Sequence, residues 1–366
     1  MKVLHYIPGF NTGGIESVFL NWYKNLDRSE CEFELLVRNY DPASPMLKEF
    51  LAMGGKLHTL DTPSLNIKTM WRFRNTVNIF FTKHPNYDFL HVHVADDPFI
   101  ISTAKKVGIE EIGIHAHTTG YNESYKSQGL KGRIRNSNVK KANHFFACSK
   151  VAARWMFPEH LENVRIIHNG ININHYAFNI EKRNEYRKKL NLKDNFTIVH
   201  VGRFSEVKNH LFMLEIFKQL NEKLPDAQLL FVGDGPLFSE YKQKYQQRNI
   251  HYLGARLDIP EVLQAADVFL LPSKFEGLGM SAIESQGAGL PTLVSNRVPQ
   301  EVKVTDLVEF LPLNSGIEIW TEHIMKYKDG YERENTLEQL RNAHYDIKQT
   351  TQDLVQYYKK VRGVTD

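Results

Sequence analysis

The chain is poor in cysteine, in long apolar runs and in charge of one sign. It has two cysteines in 366 residues, Cys31 and Cys148. That rules out a disulfide framework and a cysteine metal cluster, and it fits the cytoplasm. No apolar run reaches the roughly 18 residues a membrane-spanning helix needs, so none is expected. The opening MKVLHYIPGF has one lysine, a short apolar run and no small-residue cleavage site, so it reads as a first β-strand and not as a leader peptide. Lys and Arg exceed Asp and Glu by only 46 to 42, a net +4, which gives no global pull toward a polyanion. The local exception is KGRIRNSNVKKANH, residues 131–144. Nucleic acid, an anionic membrane surface or a plain solvated face would each account for it.

What the chain does have is length and alternation. With 42% hydrophobic and 24% charged residues it is composed like a soluble globular protein, and it is long enough for two cores. A short apolar strand, a turn and a periodic helix recur throughout: KVLHYIP then IESVFLNWYKNL, FELLVRN, KLHTL then a helix over 66–83, DFLHVHV then PFIISTAKKVG, EIGIHAH, a polar loop with Tyr121 and Tyr125, a basic helix, and HFFACS. Near Val164 this gives way to Asn-Gly turn chemistry and a charged stretch over 181–194. A second series then begins with FTIVHVGR, AQLLFVGDG, IHYLG, VFLLPS, LPTLVS and VEFLP. Nearly all-apolar strands alternating with helices predict parallel sheets covered on both faces. The expected fold class is α/β, with two Rossmann-like, doubly wound domains facing an interdomain cleft. Residues 1–170 form the first, 171–345 the second, and a helix over about 346–366 packs back onto the first. In such sheets ligands bind beyond the carboxyl ends of the strands, so the informative residues belong in strand-to-helix loops.

Five such loops stand out. GFNTGGIES sets Gly13 and Gly14 ahead of a helix, where free N–H groups attract an anion; it is not G-x-G-x-x-G. EIGIHAHTTGY places His115 and His117 at a strand end, and HVHVADD places His91 and His93 on another. Alternation puts each pair on one face. Metal ligation is a weak reading, because no matching Cys or carboxylate set stands nearby; hydrogen bonding to a sugar hydroxyl or an oxyanion is the better one. HVGRFSEVKNH offers Arg203 and Lys208, a planar fork and a point charge that suit a diphosphate; it lacks the Gly-Lys-Ser/Thr ending of a Walker loop. FVGDGPLF is a turn around Gly235. KFEGLGMSAIESQGAGLPTLVS carries Glu276 on a glycine loop with Gly277, Leu278 and Gly279, then Glu284 on a helix from Met280 to about Gln286. The loop can present N–H groups to a phosphate while Glu276 accepts from sugar hydroxyls, and Glu284 can accept from two ribose hydroxyls.

In this order, NTGGIE, HAHTT, HNGIN, GRFSEVKN, VGDGP, YLGARLD and FEGLGMSAIESQGAGLPTLVS resemble the retaining GT-B glycosyltransferases with a Glu-x7-Glu motif, in particular bacterial capsule and exopolysaccharide enzymes. The resemblance covers nearly the whole chain, and the last motif is its most specific part. It implies transfer of a hexose or N-acetylhexosamine from a UDP- or GDP-sugar to an acceptor hydroxyl, with retention, without a metal or other cofactor, and with domain closure. It places Gly13, Gly14, Arg203, Lys208, Leu278 and Gly279 near the diphosphate, with Gly277 in the same loop and Gly235 in a turn beside the nucleotide. Glu276 falls on the donor sugar, Glu284 on the ribose and Arg256 where the base is read. The active-site histidine is His117 or His115, with His117 favoured. NRVPQE, 296–301, departs from the glycines usual there. Expected partners are the nucleotide sugar, a glycan or lipid-linked acceptor and an anionic membrane at its inner face, and no nucleic acid. A sugar-nucleotide 2-epimerase and a non-catalytic partner subunit share this fold. The first lacks the Glu-x7-Glu signature, and the second tends to lose the diphosphate cations.

Overall fold

The structure is a computed structural model and describes all residues except Thr12, Pro63, Ser64, 118–128 and 364–366. The tyrosines 121 and 125 and the threonines of HAHTT therefore lie outside the described residues. Contacts divide the chain into two units, Met1–Gly170 with Ile347–Asp366, and Ile171–Asp346.

The first unit holds β1 (Lys2–Phe10), β2 (Glu32–Tyr40), β3 (Lys56–Thr59), β4 (Phe89–Val92), β5 (Ile112–Ala116), β6 (His144–Ala147) and β7 (Val164–Ile166). They form one parallel sheet in the order β3-β2-β1-β4-β5-β6-β7. Alternate residues of β1 explain why both faces are covered. Leu4 and Tyr6 pack with Phe73, Val77 and Phe81 of the helix Ile67–Lys83. Val3 and Ile7 pack with Phe19 and Trp22 of the helix Gly14–Asn25, and with Leu354 and Tyr358 of the helix Ile347–Val361. The last helix of the chain is thus part of the first unit's core.

The second unit holds β8 (Thr197–Val201), β9 (Gln228–Val232), β10 (Ile250–Gly254), β11 (Val268–Leu271), β12 (Thr292–Ser295) and β13 (Val308–Leu311), parallel in the order β10-β9-β8-β11-β12-β13. In each sheet the strand order reverses direction once, between β1 and β4 and between β8 and β11. Loops leaving adjacent strands at such a point diverge to opposite faces and open a crevice.

Some elements differ from the pattern read in the sequence. β4 stops at Val92, so His93 lies just past its end. VRI pairs with β6 as an edge strand, where the sequence suggested turn chemistry alone. The charged stretch after 180 contains the helix Ile180–Lys189, capped by Asn179. Its Arg187 is buried, donating to the carbonyls of Lys193, Asn195 and Ala265. A charge run reads as solvent-facing, but a guanidinium that satisfies several carbonyls can be buried.

Candidate active site

The second unit's crevice lies where β8 and β11 run side by side. Its two walls are the loop after β8 and the loop after β11, and they are tied together. The Lys274 N–H donates to Val207 O at 2.8 Å, and Asn209 Nδ2 donates to Pro272 O at 3.2 Å. Across this seam Lys208 Nζ meets Glu276 Oε1 at 2.6 Å, and Ser273 Oγ donates to the same oxygen at 2.6 Å. Lys208 sits in the 3-10 turn Glu206–Lys208, and Glu276 precedes the helix Met280–Gly287. Arg203 is exposed on the first wall and enters no ion pair among the described residues.

Glu284 projects from the second turn of that helix, with Tyr176 near enough to lower its pKa. By area it is half-buried, but protein surrounds its carboxyl group, and desolvation raises its pKa to about 7. Tyr176 and the field of Lys208 oppose the rise without cancelling it. Lys208 therefore acts on both glutamates: in contact with Glu276 and through space on Glu284.

Two glycines shape these walls. Gly279 caps the helix with φ +94°, a left-handed conformation that side chains resist. Gly235, in the turn after β9, lies against Phe204: a Cβ there would fall 2.5 Å from Phe204 O and 2.8 Å from Phe204 N. Phe204 N donates to Asp234 O, and Leu237 N donates to Phe204 O, so this turn holds the Arg203 segment. Gly235→Ala is expected to lower the unfolding free energy by about 1–3 kcal/mol, measured by denaturant titration, because the displaced neighbour is backbone and not a yielding side chain. Gly277 has open space beside its Cα, and Leu278 is buried beneath the loop. Arg256 donates from Nε to Asp258 Oδ1 at 2.7 Å, with Tyr186 and Lys189 also on Asp258.

In the first unit, Gly13 is the extended N-cap and Gly14 the first residue of the helix Gly14–Asn25. A Cβ on Gly14 would meet nothing, and one on Gly13 only the Glu16 carboxylate. His115, next to last in β5, is fully buried and His117 is half-buried just beyond the strand, their rings stacked at 4.1 Å. Each is paired across the sheet: His91 Nε2 with His115 Nδ1 at 3.1 Å, and His93 Nδ1 with His117 Nε2 at 2.8 Å. Burial lowers the pKa of His117 to about 3 and those of His91, His93 and His115 well below the usual value, so all four are neutral at physiological pH. No group of three or more His, Cys, Asp or Glu among the described residues could hold a metal ion.

Of the residues singled out by sequence, the structure groups Arg203, Lys208, Gly235, Glu276, Gly277, Leu278, Gly279 and Glu284 around one crevice, and Gly13, Gly14, His115 and His117 in the other unit. Arg256 is locked into a pair with Asp258. Ser273 and Tyr176 were not singled out, although the quoted strand VFLLPS ends on Ser273.

Two family descriptions match the chain, "Glycosyltransferase Family 4" over residues 12–175 and "Glycosyl transferases group 1" over residues 182–340. EpsF of Bacillus subtilis (strain 168), a protein whose name gives it as a glycosyltransferase only provisionally, is 31% identical over 98% of this chain and 96% of its own length. The Escherichia coli enzyme named "UDP-Gal:alpha-D-GlcNAc-diphosphoundecaprenol alpha-1,3-galactosyltransferase" is 26% identical over 77% of this chain and 76% of its own. The crystal structure of Anabaena Alr3699/HepE in complex with UDP and glucose superposes with a TM-score of 0.76 at 16% identity, over 98% of this chain and 99% of that one. The chain therefore belongs to the group 1 glycosyltransferases and has the GT-B fold of two parallel-sheet α/β domains.

Proposed function

We propose that this glycosyltransferase moves a hexose or N-acetylhexosamine from a UDP- or GDP-sugar to a hydroxyl of a glycan or lipid-linked glycan, with retention, in capsule or exopolysaccharide synthesis on the cytoplasmic side of the membrane. The observation that carries this reading is the Lys208–Glu276–Glu284 group at the β8/β11 crossover, with Arg203, which enters no ion pair among the described residues, in the same loop as Lys208. The bond between the sugar's anomeric carbon and the diphosphate oxygen breaks, and the electron pair leaves with the diphosphate. The acceptor oxygen bonds to the anomeric carbon on the same face, and its proton passes to the departing phosphate oxygen. Arg203, Lys208 and the N–H groups of the Gly277–Gly279 loop hold the charge that builds on the diphosphate, and Gly13 and Gly14 are assigned to the same diphosphate. These groups are sufficient to do so without a metal. Glu276 accepts from donor-sugar hydroxyls and Glu284 from the ribose, while His117 contacts the sugar. The names of two relatives, which specify UDP-Gal and UDP with glucose, favour the uridine nucleotide. The exposed Lys131, Arg133, Lys140 and Lys141 provide the basic face for an anionic membrane.

A thermal-shift screen of UDP- and GDP-sugars tests the donor, since a ligand of the folded state raises the melting temperature. UDP-sugars are expected to raise it and GDP-sugars not. A shift with neither overturns the nucleotide-sugar reading. Transfer measured with and without EDTA tests metal independence, and the anomeric coupling of the product by NMR tests retention.

A further inference from the structure

The first unit contains an unbroken chain of imidazoles. His5 lies on β1, His93 just past β4 and His117 just past β5. His5 Nδ1 stands 3.0 Å from His93 Nε2, and His93 Nδ1 stands 2.8 Å from His117 Nε2. The two end nitrogens, His5 Nε2 and His117 Nδ1, are shielded from solvent and have no hydrogen-bond partner among the described residues. Resting on the reading of His117 as a donor-sugar contact, we infer that His93, backed by His5, is a positioning residue that fixes the tautomer of His117 so that it offers an N–H from Nδ1 to an oxygen of the nucleotide sugar.

Burial keeps the rings uncharged, so three imidazoles carry three N–H groups on six nitrogens. The two inter-ring hydrogen bonds use two of these and fix a common direction. Either His5 donates to His93 and His93 to His117, leaving N–H on His117 Nδ1 and a lone pair on His5 Nε2, or the whole chain runs the other way. The ends decide between them. His5 is sealed, with no exposed surface, against Phe19, Trp22 and Phe33. A buried N–H without an acceptor is rarer in proteins than an under-used acceptor. His117 is only half-buried and lies just past β5, at the carboxyl end of the sheet where ligands of such folds bind, so its N–H can find an acceptor when a ligand arrives. The remaining hydrogen therefore belongs on His117 Nδ1. Stacking on His115 at 4.1 Å and on His93 at 5.0 Å fixes the ring plane as well. A parallel chain, which pairs the Tyr358 hydroxyl with His91 Nδ1 and His91 Nε2 with His115 Nδ1, does not hydrogen-bond to His117 and serves as an internal control.

The test is 15N NMR of the full-length protein labelled at histidine, with His117→Ala used to assign the resonance. The expected native spectrum has a protonated Nδ1 and a bare Nε2 at His117. A protonated Nε2 overturns the inference. In His93→Phe, which keeps a ring and removes both hydrogen bonds, the His117 signals are expected to move to the Nε2-protonated pattern, while in Tyr358→Phe they stay. Sugar transfer in His93→Phe is expected to fall about tenfold or more in kcat, with KM for the donor changed less than about threefold. Unchanged His117 signals in that variant overturn the inference. Should His93→Phe not fold, His5→Phe, which suits the aromatic pocket, is expected to give a mixture of the two His117 patterns; a pure native pattern overturns the inference. The two readings fail separately: full transfer by His117→Ala removes the assignment of His117 to the sugar, whereas loss of transfer in His117→Ala with full transfer in His93→Phe removes the relay alone.

Discussion

At about pH 8, Glu284→Gln is expected to unfold at a higher temperature than the native chain, and at about pH 4 the two are expected to melt together. The folded protein holds the Glu284 proton up to a pKa of about 7, against an ordinary value of 4.5. Between these values the native state binds more protons than the unfolded one, so stability is lost as pH rises through that window. The full difference corresponds to about 3 kcal/mol, and Glu284's remaining solvent contact reduces the expected effect to about 1–3 kcal/mol. Glutamine keeps the shape and an acceptor for Tyr176 but has no charge to desolvate. The same substitution is expected to weaken nucleotide binding at least tenfold above pH 7, because two charge-assisted hydrogen bonds from ribose hydroxyls become neutral ones. Native binding is expected to weaken as pH falls below about 7, with a proton released to buffer on complex formation, since the ligand selects the ionised carboxylate. Calorimetry in buffers of different ionisation enthalpy measures that proton. A Gln variant that is less stable at pH 8, or that binds nucleotide as tightly as the native chain, contradicts the assignment of Glu284 to the ribose.

The reason for such an arrangement is visible in the fold. A carboxylate that is fully hydrated before binding must lose that water to meet the ribose. Glu284 is desolvated already by its burial in the folded chain. Part of the cost of binding is thereby met during folding, at the expense of the ligand-free protein's stability.

The two sheets were legible because their physics is local. Strands such as LLFV and VFLL are buried on both faces, so they are apolar throughout, and each is followed by a turn and a helix. The separation of Glu276 and Glu284 onto a loop and a helix was legible for the same reason, from Gly277 and Gly279 ahead of MSAIES. The contacts that join distant segments were not legible. Nothing in GRFSEVKN says that Lys208 meets Glu276, 68 residues on, and nothing in HNGININHY says that Tyr176 meets Glu284. The histidines of HVHV and HAH showed a shared face but not their pairing, which depends on the register His91↔Gly113 and on β4 ending at Val92. His5 carried no motif at all. Its part in the chain of rings follows only from β1 and β4 being neighbours, which is a property of strand order.

The Lys208–Glu276 pair should separate stability from chemistry. Its side chains are 18% and 10% exposed, so removing one partner leaves the other charge poorly hydrated. Lys208→Met alone is expected to destabilise by about 3 kcal/mol, because Glu276 then keeps only Ser273 as its neutral donor. The double variant Lys208→Met with Glu276→Gln has no charge left to strand, and its stability is expected to return to within about 1 kcal/mol of native, a coupling that a double-mutant cycle in denaturant measures directly. Transfer is expected to behave differently. A diphosphate leaving group needs the cation itself, so both the single and the double variant are expected to lose about a hundredfold or more in kcat. Recovery of stability without recovery of turnover, with the double variant slower than Glu276→Gln alone, identifies Lys208 as a charge held ready: in the ligand-free protein Glu276 neutralises it, and in the complex the diphosphate supplies a second anion while Glu276 turns to the sugar. Recovery of both in the double variant would reduce the pair to a strut between the two loops and leave Arg203 as the only cation assigned to the leaving group.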